Sequence, residues 1–128
     1  MNLLLDSHVL IWLDIDPDSL SARVRELLTD ESNTWVTSIV SVWEIQIKLQ
    51  LGKLSLNLPF SELLENLRVT SGLQILPIEL SHIWLLEGLP NHHRDPFDRL
   101  LIAQALSTQL PIVSADSMFD QYSIQRLW

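Results

Sequence analysis

The chain has 128 residues and a mass of 14.7 kDa, with 16 acidic and 8 basic side chains, so its formal net charge is −8. This length favours one domain over residues 1–128, and a hydrophobic content of 47% argues against intrinsic disorder. The absence of cysteine excludes disulfide frameworks, thiolate zinc sites and cysteine nucleophiles. The acidity argues against tight binding along a nucleic-acid backbone, so any such contact is expected to be local.

Apolar runs with the strand or helix period divide the chain into alternating elements. In chain order the predicted elements are a strand at 2–5, a helix capped by Ser19 or Ser21, a strand at 34–37, a helix from Ser38 or Ser41 to about Leu51, a helix from Pro59 to Gly72, a strand at 74–78, a helix at 81–86, a helix at 96–106, a strand at 111–114 and a strand at 123–127. Strands that alternate with helices imply βα units and a parallel sheet, hence an α/β fold.

Targeting and membrane signals are not expected. The first six residues contain no basic region. The longest charge-free stretch, Leu100–Ala115, contains polar residues and Pro111, which predicts a helix followed by a strand. The sequence therefore favours a cytoplasmic protein without a membrane span.

Four acidic residues are expected to meet at the carboxyl edge of the sheet. Asp6 and Asp116 follow predicted strands, and Glu44 and Asp98 lie near the N-terminal ends of predicted helices. Clustered carboxylates repel one another unless a proton or a cation neutralises them. Oxygen ligands without cysteine favour Mg²⁺ or Mn²⁺ over Zn²⁺, and such an ion can assist the hydrolysis of a phosphodiester.

Each acid also has a structural interpretation. Asp6 can cap the helix that follows it, and Asp116 can occupy a turn. Glu44 fits either a capping box or an ion pair with Lys48. Asp98 can stabilise a helix dipole. Their joint placement at one sheet edge is what favours a functional site.

Four segments carry a resemblance to a known family. They are Leu4–Leu10, Ser41–Ile45, His92–Ala105 and Pro111–Asp116. In this order, and over essentially the whole chain, they resemble the PIN domain, and more closely the VapC-like toxins of bacterial toxin–antitoxin pairs. The resemblance implies a three-layer α/β/α fold with a central parallel sheet of four to five strands.

The same resemblance implies a Mg²⁺- or Mn²⁺-dependent ribonuclease that acts on RNA, forms a homodimer and is held inactive by a small antitoxin. The acids of the family match Asp6, Glu44, Asp98 and Asp116. Asp6 and Asp98 are expected to hold the metal directly, and Glu44 and Asp116 to bind it through water or orient the attacking water. Asp95 competes with Asp98, but the proline that follows Asp95 predicts a capping or structural role.

Several neighbours are candidates for contacts with a carboxylate or with RNA. Ser7 or Ser114 can hydrogen-bond a carboxylate or a phosphate oxygen. Arg94 or Arg99 can hold the scissile phosphate or pair with a nearby acid. His8 can face the site or pack against the protein.

The adjacent His92 and His93 are not expected to bind metal, because neighbouring side chains point apart and no cysteine or further histidine has zinc-ligand spacing. A loop contact with RNA or a surface position is favoured for them. Four of the five tryptophans are expected mainly in the core, with one or two at a dimer or antitoxin surface. These four are Trp12, Trp35, Trp43 and Trp84.

Three other functions are open from the sequence. A PIN nuclease in RNA maturation, without an antitoxin, has the same site. An inactive PIN-like interaction module has no physical reason to keep four clustered acids. A phospho-acceptor receiver domain also gathers acids at strand ends, but it needs an acidic pair before the acceptor aspartate and a lysine after a late strand, and neither is present. The sequence therefore favours the endoribonuclease toxin.

Overall fold

Five parallel strands form a central sheet with six α-helices on its faces in a computed structural model that describes all 128 residues. The strands are β1 (Asn2–Leu5), β2 (Thr34–Ser38), β3 (Gln74–Leu76), β4 (Ile112–Val113) and β5 (Arg126–Leu127). The helices are α1 (Ser7–Ile15), α2 (Ala22–Thr29), α3 (Ile39–Gln50), α4 (Phe60–Ser71), α5 (Leu80–Leu85) and α6 (Pro96–Thr108). None of these helices has the length and apolarity needed to cross a lipid bilayer.

The strand order across the sheet is β3-β2-β1-β4-β5, and every neighbouring pair is parallel. The chain builds outward from β1 through β2 to β3, and then returns to place β4 on the other side of β1. The point where the strand order reverses therefore lies between β1 and β4. Open α/β sheets bind their ligands in the crevice outside the carboxyl ends of the strands at this point.

The central strand β1 separates two apolar cores. Leu3 and Leu5 pack into a core with residues of α1, α2, α3 and α4. Leu4 points to the opposite face and packs with residues of α6 and β4. This alternation follows from the two-residue period of a strand. The predicted three-layer α/β/α fold with a parallel sheet of four to five strands is therefore confirmed, and the sheet has five.

The main differences from the predicted elements occur at their ends. β3 stops at Leu76 because Pro77 has no N–H to donate to a neighbouring strand. α6 continues to Thr108 and ends at Gln109, which takes a left-handed conformation with φ 58° although it is not glycine. The cap of α3 is Ser38, whose Oγ accepts a 3.0 Å hydrogen bond from the Val40 N–H. Ser41 lies inside α3, so the predicted capping box with Glu44 is wrong.

Two of the four tryptophans pack against the core and two are exposed, which matches the expectation that one or two lie at the surface. Trp43 is 57% exposed and Trp84 is 67% exposed, whereas Trp12 and Trp35 are partly buried against the first core. Trp43 makes an edge contact with Phe97, at 5.1 Å between ring centroids. The apolar residues next to Trp43 and Trp84 in the sequence lie on other faces of the same helices, so they do not bury these two indole rings.

A buried polar network fixes α6 against the start of α3. The Ser38 hydroxyl donates to Oε1 of Gln104, and Nε2 of Gln104 donates to the Pro77 carbonyl at 3.1 Å. Gln104 is fully buried, so an unpaired amide there would be costly. The network holds the two helices that carry Glu44 and Asp98 in a fixed relation.

Candidate active site

The carboxylate of Asp6 lies directly after β1 and is 5% exposed. Its Oδ2 accepts a 2.7 Å hydrogen bond from the Ser114 hydroxyl, and its Oδ1 accepts one of 3.1 Å from the Ser7 hydroxyl. Asp6 occupies the N-cap position of α1, but its side chain makes no capping bond. The carboxylate is therefore oriented by two serines and remains directed to the edge of the sheet.

Ser7 joins Asp6 to Glu44. The Ser7 hydroxyl lies 2.9 Å from Oε1 of Glu44 as well as beside Asp6, and its single proton can be donated to only one of the two carboxylates at a time. The other oxygen of Glu44, Oε2, pairs with Lys48 Nζ at 3.2 Å. Glu44 thus takes part in both the site and the predicted ion pair on α3.

The third acid lies in the first turn of α6. Asp95 caps this helix, because its Oδ1 accepts hydrogen bonds from the N–H groups of Phe97 and Asp98, at 2.8 and 3.4 Å. Asp95 is exposed, whereas Asp98 is partly buried. The cap satisfies the orphan N–H groups of the helix, and leaves the Asp98 side chain free of that task.

The charges of the acids act on one another. Burial raises the pKa of Asp98 to about 7, and the negative charges of four neighbouring carboxylates act in the same direction. These neighbours are Asp95, Asp6, Glu44 and Asp116. The structure thus brings three of the predicted acids close enough to the fourth, Asp98, for their charges to disfavour its ionised form. In the absence of a cation, this repulsion favours a proton on Asp98.

Asp6 has the opposite environment. Burial acts to raise the pKa of Asp6, but contacts with His8, Ser114 and Ser7 outweigh burial and lower it. His8 Nδ1 lies 3.9 Å from Asp6 Oδ1, and this contact raises the pKa of His8. The surroundings of Asp6 therefore favour its charged form, whereas those of Asp98 favour its protonated form.

His93 completes a second convergence of donor atoms. Ligand atoms of His93, Asp98 and Asp116 all lie within 4.8 Å of one another. His93 Nε2 is 3.3 Å from Oδ2 of Asp116, whose Oδ1 accepts a 2.9 Å hydrogen bond from the Met118 N–H. His93 lies in the loop before α6 but faces the acids, so the expectation of a plain surface position is wrong for it.

Aromatic packing turns His93 inward. Its ring stacks on Phe119, with centroids 5.0 Å apart and an angle of 18°, and its Nδ1 lies 3.2 Å from the Tyr122 hydroxyl. The His93 side chain is only 7% exposed. His92, in contrast, is exposed and contacts the edge of Tyr122. The two adjacent side chains do point apart, but the sequence does not reveal which of them faces the acids.

The donor set fits a divalent cation. It consists of carboxylate oxygens and one imidazole nitrogen, with no thiolate. A cation among these groups relieves the repulsion that raises the pKa of Asp98, and the site lies at the sheet edge where ligands of α/β folds bind. The ligand atoms that converge are those of His93, Asp98 and Asp116, and the charges of Asp6 and Glu44 act on Asp98 from nearby.

The family of the chain is decided by its sequence match. Residues 3–125 match the family model described as PIN domain. The chain belongs to the PIN domain family. No protein of curated function matches its sequence significantly.

Solved structures share this PIN fold over almost the whole chain. VapBC2 from Rickettsia felis, bound to a promoter DNA fragment, has a TM-score of 0.68 at 16% identity and covers 99% of this chain and 98% of that chain. FitAcB from Neisseria gonorrhoeae has a TM-score of 0.63 at 17% identity, with 98% and 96% covered. VapBC-5 from Mycobacterium tuberculosis has a TM-score of 0.61 at 18% identity, with 98% of each chain covered. At these identities the similarity shows a shared fold.

Arg94 and Arg99, the two arginines that flank Asp95 and Asp98, differ in their surroundings. The guanidinium of Arg99 donates to four backbone carbonyls at 3.0–3.4 Å, and it forms no ion pair with a nearby acid. These carbonyls belong to Leu86, Leu89, Pro90 and His93. Arg99 thereby anchors the segment that carries His93. Arg94 is exposed and also lacks an ion pair, so its guanidinium is free to meet a ligand.

A cavity of about 350 Å³ opens beside the carboxylates. It is lined by Asp6, His8, Trp12, Ala115 and Asp116. Two acids of the site and one aromatic ring of α1 therefore face the same space. Trp12 was expected in the core, and its ring does pack partly on the first core cluster. Its position in the cavity wall depends on how α1 meets the loop after β4.

Proposed function

We propose that this PIN domain is a metal-dependent endoribonuclease that acts as the toxin of a toxin–antitoxin pair. The observation that carries the proposal is the convergence of Asp6, Glu44, Asp98 and Asp116 at the point where the strand order reverses. A cluster of this composition suits hydrolysis of a phosphodiester with a divalent cation. The similar structure from Mycobacterium tuberculosis belongs to the VapBC family of toxin–antitoxin systems, which supports the toxin assignment.

The four carboxylates are proposed to have different roles because their environments differ. Asp6, held by Ser7 and Ser114, stays charged and is proposed to bind Mg²⁺ or Mn²⁺ directly. Asp98 is proposed to bind the same ion after it loses its proton. The chemistry that a bound divalent cation supplies is activation of a water molecule and stabilisation of the leaving oxygen.

Glu44 and Asp116 are proposed to orient the attacking water. Glu44 is fixed by Ser7 on one side and Lys48 on the other, and Asp116 is fixed by the Met118 N–H. Each therefore keeps one orientation in which it can accept a proton or a hydrogen bond from water. Pre-oriented groups of this kind contribute to catalysis because they need no reorganisation during the reaction.

Contact with RNA is proposed to be local. Arg94 is the exposed cation nearest in sequence to Asp98 on its N-terminal side, and it is available to a phosphate oxygen. Arg99 is not proposed for this contact, because its donors are used by backbone carbonyls. With a net charge of −8, the protein should depend on the metal and on few basic contacts.

The partners proposed are a small antitoxin and a second copy of the chain, in the cytoplasm. Exposed apolar side chains on α3 and α5 support a protein interface, since such patches commonly mark interaction sites. They are Ile39, Trp43, Leu80, Ile83 and Trp84, with exposed fractions from 40% to 67%. Trp is enriched at the energetic centres of protein interfaces.

The nuclease assignment is tested with purified protein and single-stranded RNA. We expect cleavage in Mg²⁺ or Mn²⁺ that EDTA abolishes and that Asp6→Asn removes. Asp18→Asn, an exposed change outside the site, is the matched control and should cleave like the wild type. RNA that stays intact with the wild type in both ions would contradict the proposal.

The toxin assignment needs a separate experiment in cells. Expression of the wild type is expected to arrest bacterial growth, and expression of Glu44→Gln is not. Co-expression of the small protein encoded beside this gene should restore growth. RNA cleavage in vitro without growth arrest would favour an RNA-maturation nuclease, and growth arrest by Glu44→Gln would indicate a toxic effect without hydrolysis.

A further inference from the structure

The cavity beside the carboxylates has one wall that the proposed chemistry does not use. Its volume of about 350 Å³ lies in the range of about 300–1,000 Å³ that is typical of small-molecule sites. Asp6 and Asp116 line one side, and Trp12 and His8 line another. An aromatic surface thus lies beside the groups that would handle a phosphodiester.

We propose that Trp12, with His8, is a stacking platform for the RNA base next to the scissile phosphate. This inference rests on the proposed ribonuclease function and names the part of the substrate that occupies the cavity. Proteins commonly bind unpaired bases by stacking them on aromatic side chains. The indole of Trp12 and the ring of His8 belong to the same face of α1, because the residues are four apart.

The geometry of α1 sets the spacing. Asp6 is the N-cap of α1 and Trp12 lies six residues further, which corresponds to about 9 Å along the helix axis. His8 stands between them, with its ring centroid 5.7 Å from that of Trp12 and its Nδ1 3.9 Å from Asp6 Oδ1. The rings therefore extend from the carboxylates in a row, as a nucleoside extends from its phosphate.

The rings are supported without being covered. Trp12 packs on the first core cluster and lies 5.8 Å from Trp128, which limits its rotation. The His8 side chain is 54% exposed, so this end of the platform is accessible. A pre-positioned ring loses little conformational entropy when a base stacks on it.

The charge of the cavity favours a base over a phosphate. No lysine or arginine lines it, and its two carboxylates repel an anion. A neutral planar base avoids this repulsion and buries apolar area on the indole. The phosphate attached to that nucleoside would lie at the neighbouring metal site.

The test uses 2-aminopurine riboside 5′-monophosphate, a fluorescent nucleotide without a phosphodiester, so that binding is measured without turnover. In Mg²⁺ the wild type is expected to quench its fluorescence through stacking. Trp12→Leu should weaken binding by about 5- to 150-fold, the range expected for loss of one stacked base. Trp12→Phe should retain most of the quenching. Thermal unfolding of both variants checks that the helix α1 remains packed.

Two controls separate stacking from general effects. Trp84→Leu removes a tryptophan that is exposed on α5 and does not line the cavity. This variant should bind the fluorescent nucleotide like the wild type. Ribose 5-phosphate, which has no base, should bind the wild type and Trp12→Leu with equal affinity when it competes with the fluorescent nucleotide. AMP should bind more tightly than ribose 5-phosphate to the wild type, but not to Trp12→Leu.

The outcomes distinguish this inference from the ribonuclease proposal. Wild-type protein that cleaves RNA while Trp12→Leu quenches the probe as strongly as the wild type would overturn the stacking platform alone. Loss of quenching in Trp43→Leu instead would place the base against Trp43 and also overturn it. A wild type that cleaves no RNA would contradict the ribonuclease function independently of the probe.

Discussion

Ser114 donates a 2.7 Å hydrogen bond to Asp6 across the junction of β1 and β4, and the two residues are 108 positions apart in the chain. The same hydroxyl accepts a 3.0 Å hydrogen bond from the Asp116 N–H. One buried serine therefore joins two acids of the site to each other. It does so at the point where the strand order reverses, which is where the topology itself predicts a ligand.

Removing this hydroxyl is expected to weaken both the fold and the metal site. Ser114→Ala should lower the free energy of unfolding by about 1.5–3 kcal/mol, the usual effect of losing a hydrogen bond to a charged group. Metal affinity should fall by about 10- to 100-fold, because Asp6 loses a partner that orients it. Chemical denaturation and calorimetric titration with Mn²⁺ measure the two effects. Ser123→Ala, at an exposed position, is the control that should change neither.

The raised pKa of Asp98 predicts a pH-dependent stability of the cation-free protein. The folded state holds this proton up to about pH 7, whereas the unfolded chain releases it near pH 3.8. The stabilising effect of the proton is thus complete below pH 3.8 and is lost as the pH rises to about 7. In EDTA, Asp98→Asn should therefore raise the melting temperature at pH 8 and change it much less at pH 4.

A divalent cation should reverse the order of the two melting temperatures at pH 8. In Mg²⁺ at pH 8 the wild type is expected to melt above Asp98→Asn, because only the ionised carboxylate binds the ion strongly. Asp18→Asn serves as the exposed control at each pH. An Asp98→Asn effect of equal size at both pH values, or no effect of Mg²⁺, would show that Asp98 is not the proton-binding ligand.

Substitutions of Arg94 and Arg99 are expected to have different effects. Arg99→Gln should lower the melting temperature and reduce kcat, because it releases the segment that carries His93. Arg94→Ala should leave stability unchanged, raise KM for RNA and reduce by about 1 the slope of log affinity against log salt. Unfolding curves and cleavage kinetics at several salt concentrations separate the two. Exchanged phenotypes would contradict the contacts described for Arg99.

Much of the site followed from local sequence patterns. Asp6 ends a run of apolar residues, and Asp98 follows a proline that opens a helix, so periodicity alone placed both near the carboxyl edge of the sheet. The rule for parallel βα units then brought distant acids together. The α/β architecture was predictable for the same reason, because short apolar runs alternate along the chain with segments of helical period.

The features that were not predictable depend on distant contacts. His93 faces Asp116 because its ring stacks on Phe119 and its Nδ1 contacts the Tyr122 hydroxyl, and both partners lie far along the chain. Whether Ser38 or Ser41 caps α3 depends on where β2 ends, which no local pattern states. The exposure of Trp84 depends on which face of α5 meets α6. Neighbouring residues carry no signal for any of these.

The exposed face of α5 predicts a self-association that one charge can disrupt. Trp84→Glu is expected to convert a dimer to a monomer, since a charge in an apolar interface is costly to bury. Val69→Glu is the matched control, because Val69 is 76% exposed on α4 and is not part of the proposed interface. Sedimentation equilibrium measures the effect. A monomeric wild type, or a Trp84→Glu variant that stays dimeric, would contradict an interface through α5.

The central claim is that the clustered carboxylates hydrolyse RNA with a divalent cation, and the most direct measurement is the rate of RNA cleavage by Asp98→Asn beside Asp95→Asn in Mg²⁺. Asparagine caps a helix about as well as aspartate, so Asp95→Asn should keep both the fold and the activity. Asp98→Asn should cleave no faster than the wild type in EDTA. Cleavage by Asp98→Asn at the wild-type rate, or wild-type cleavage that persists in EDTA, would contradict the account.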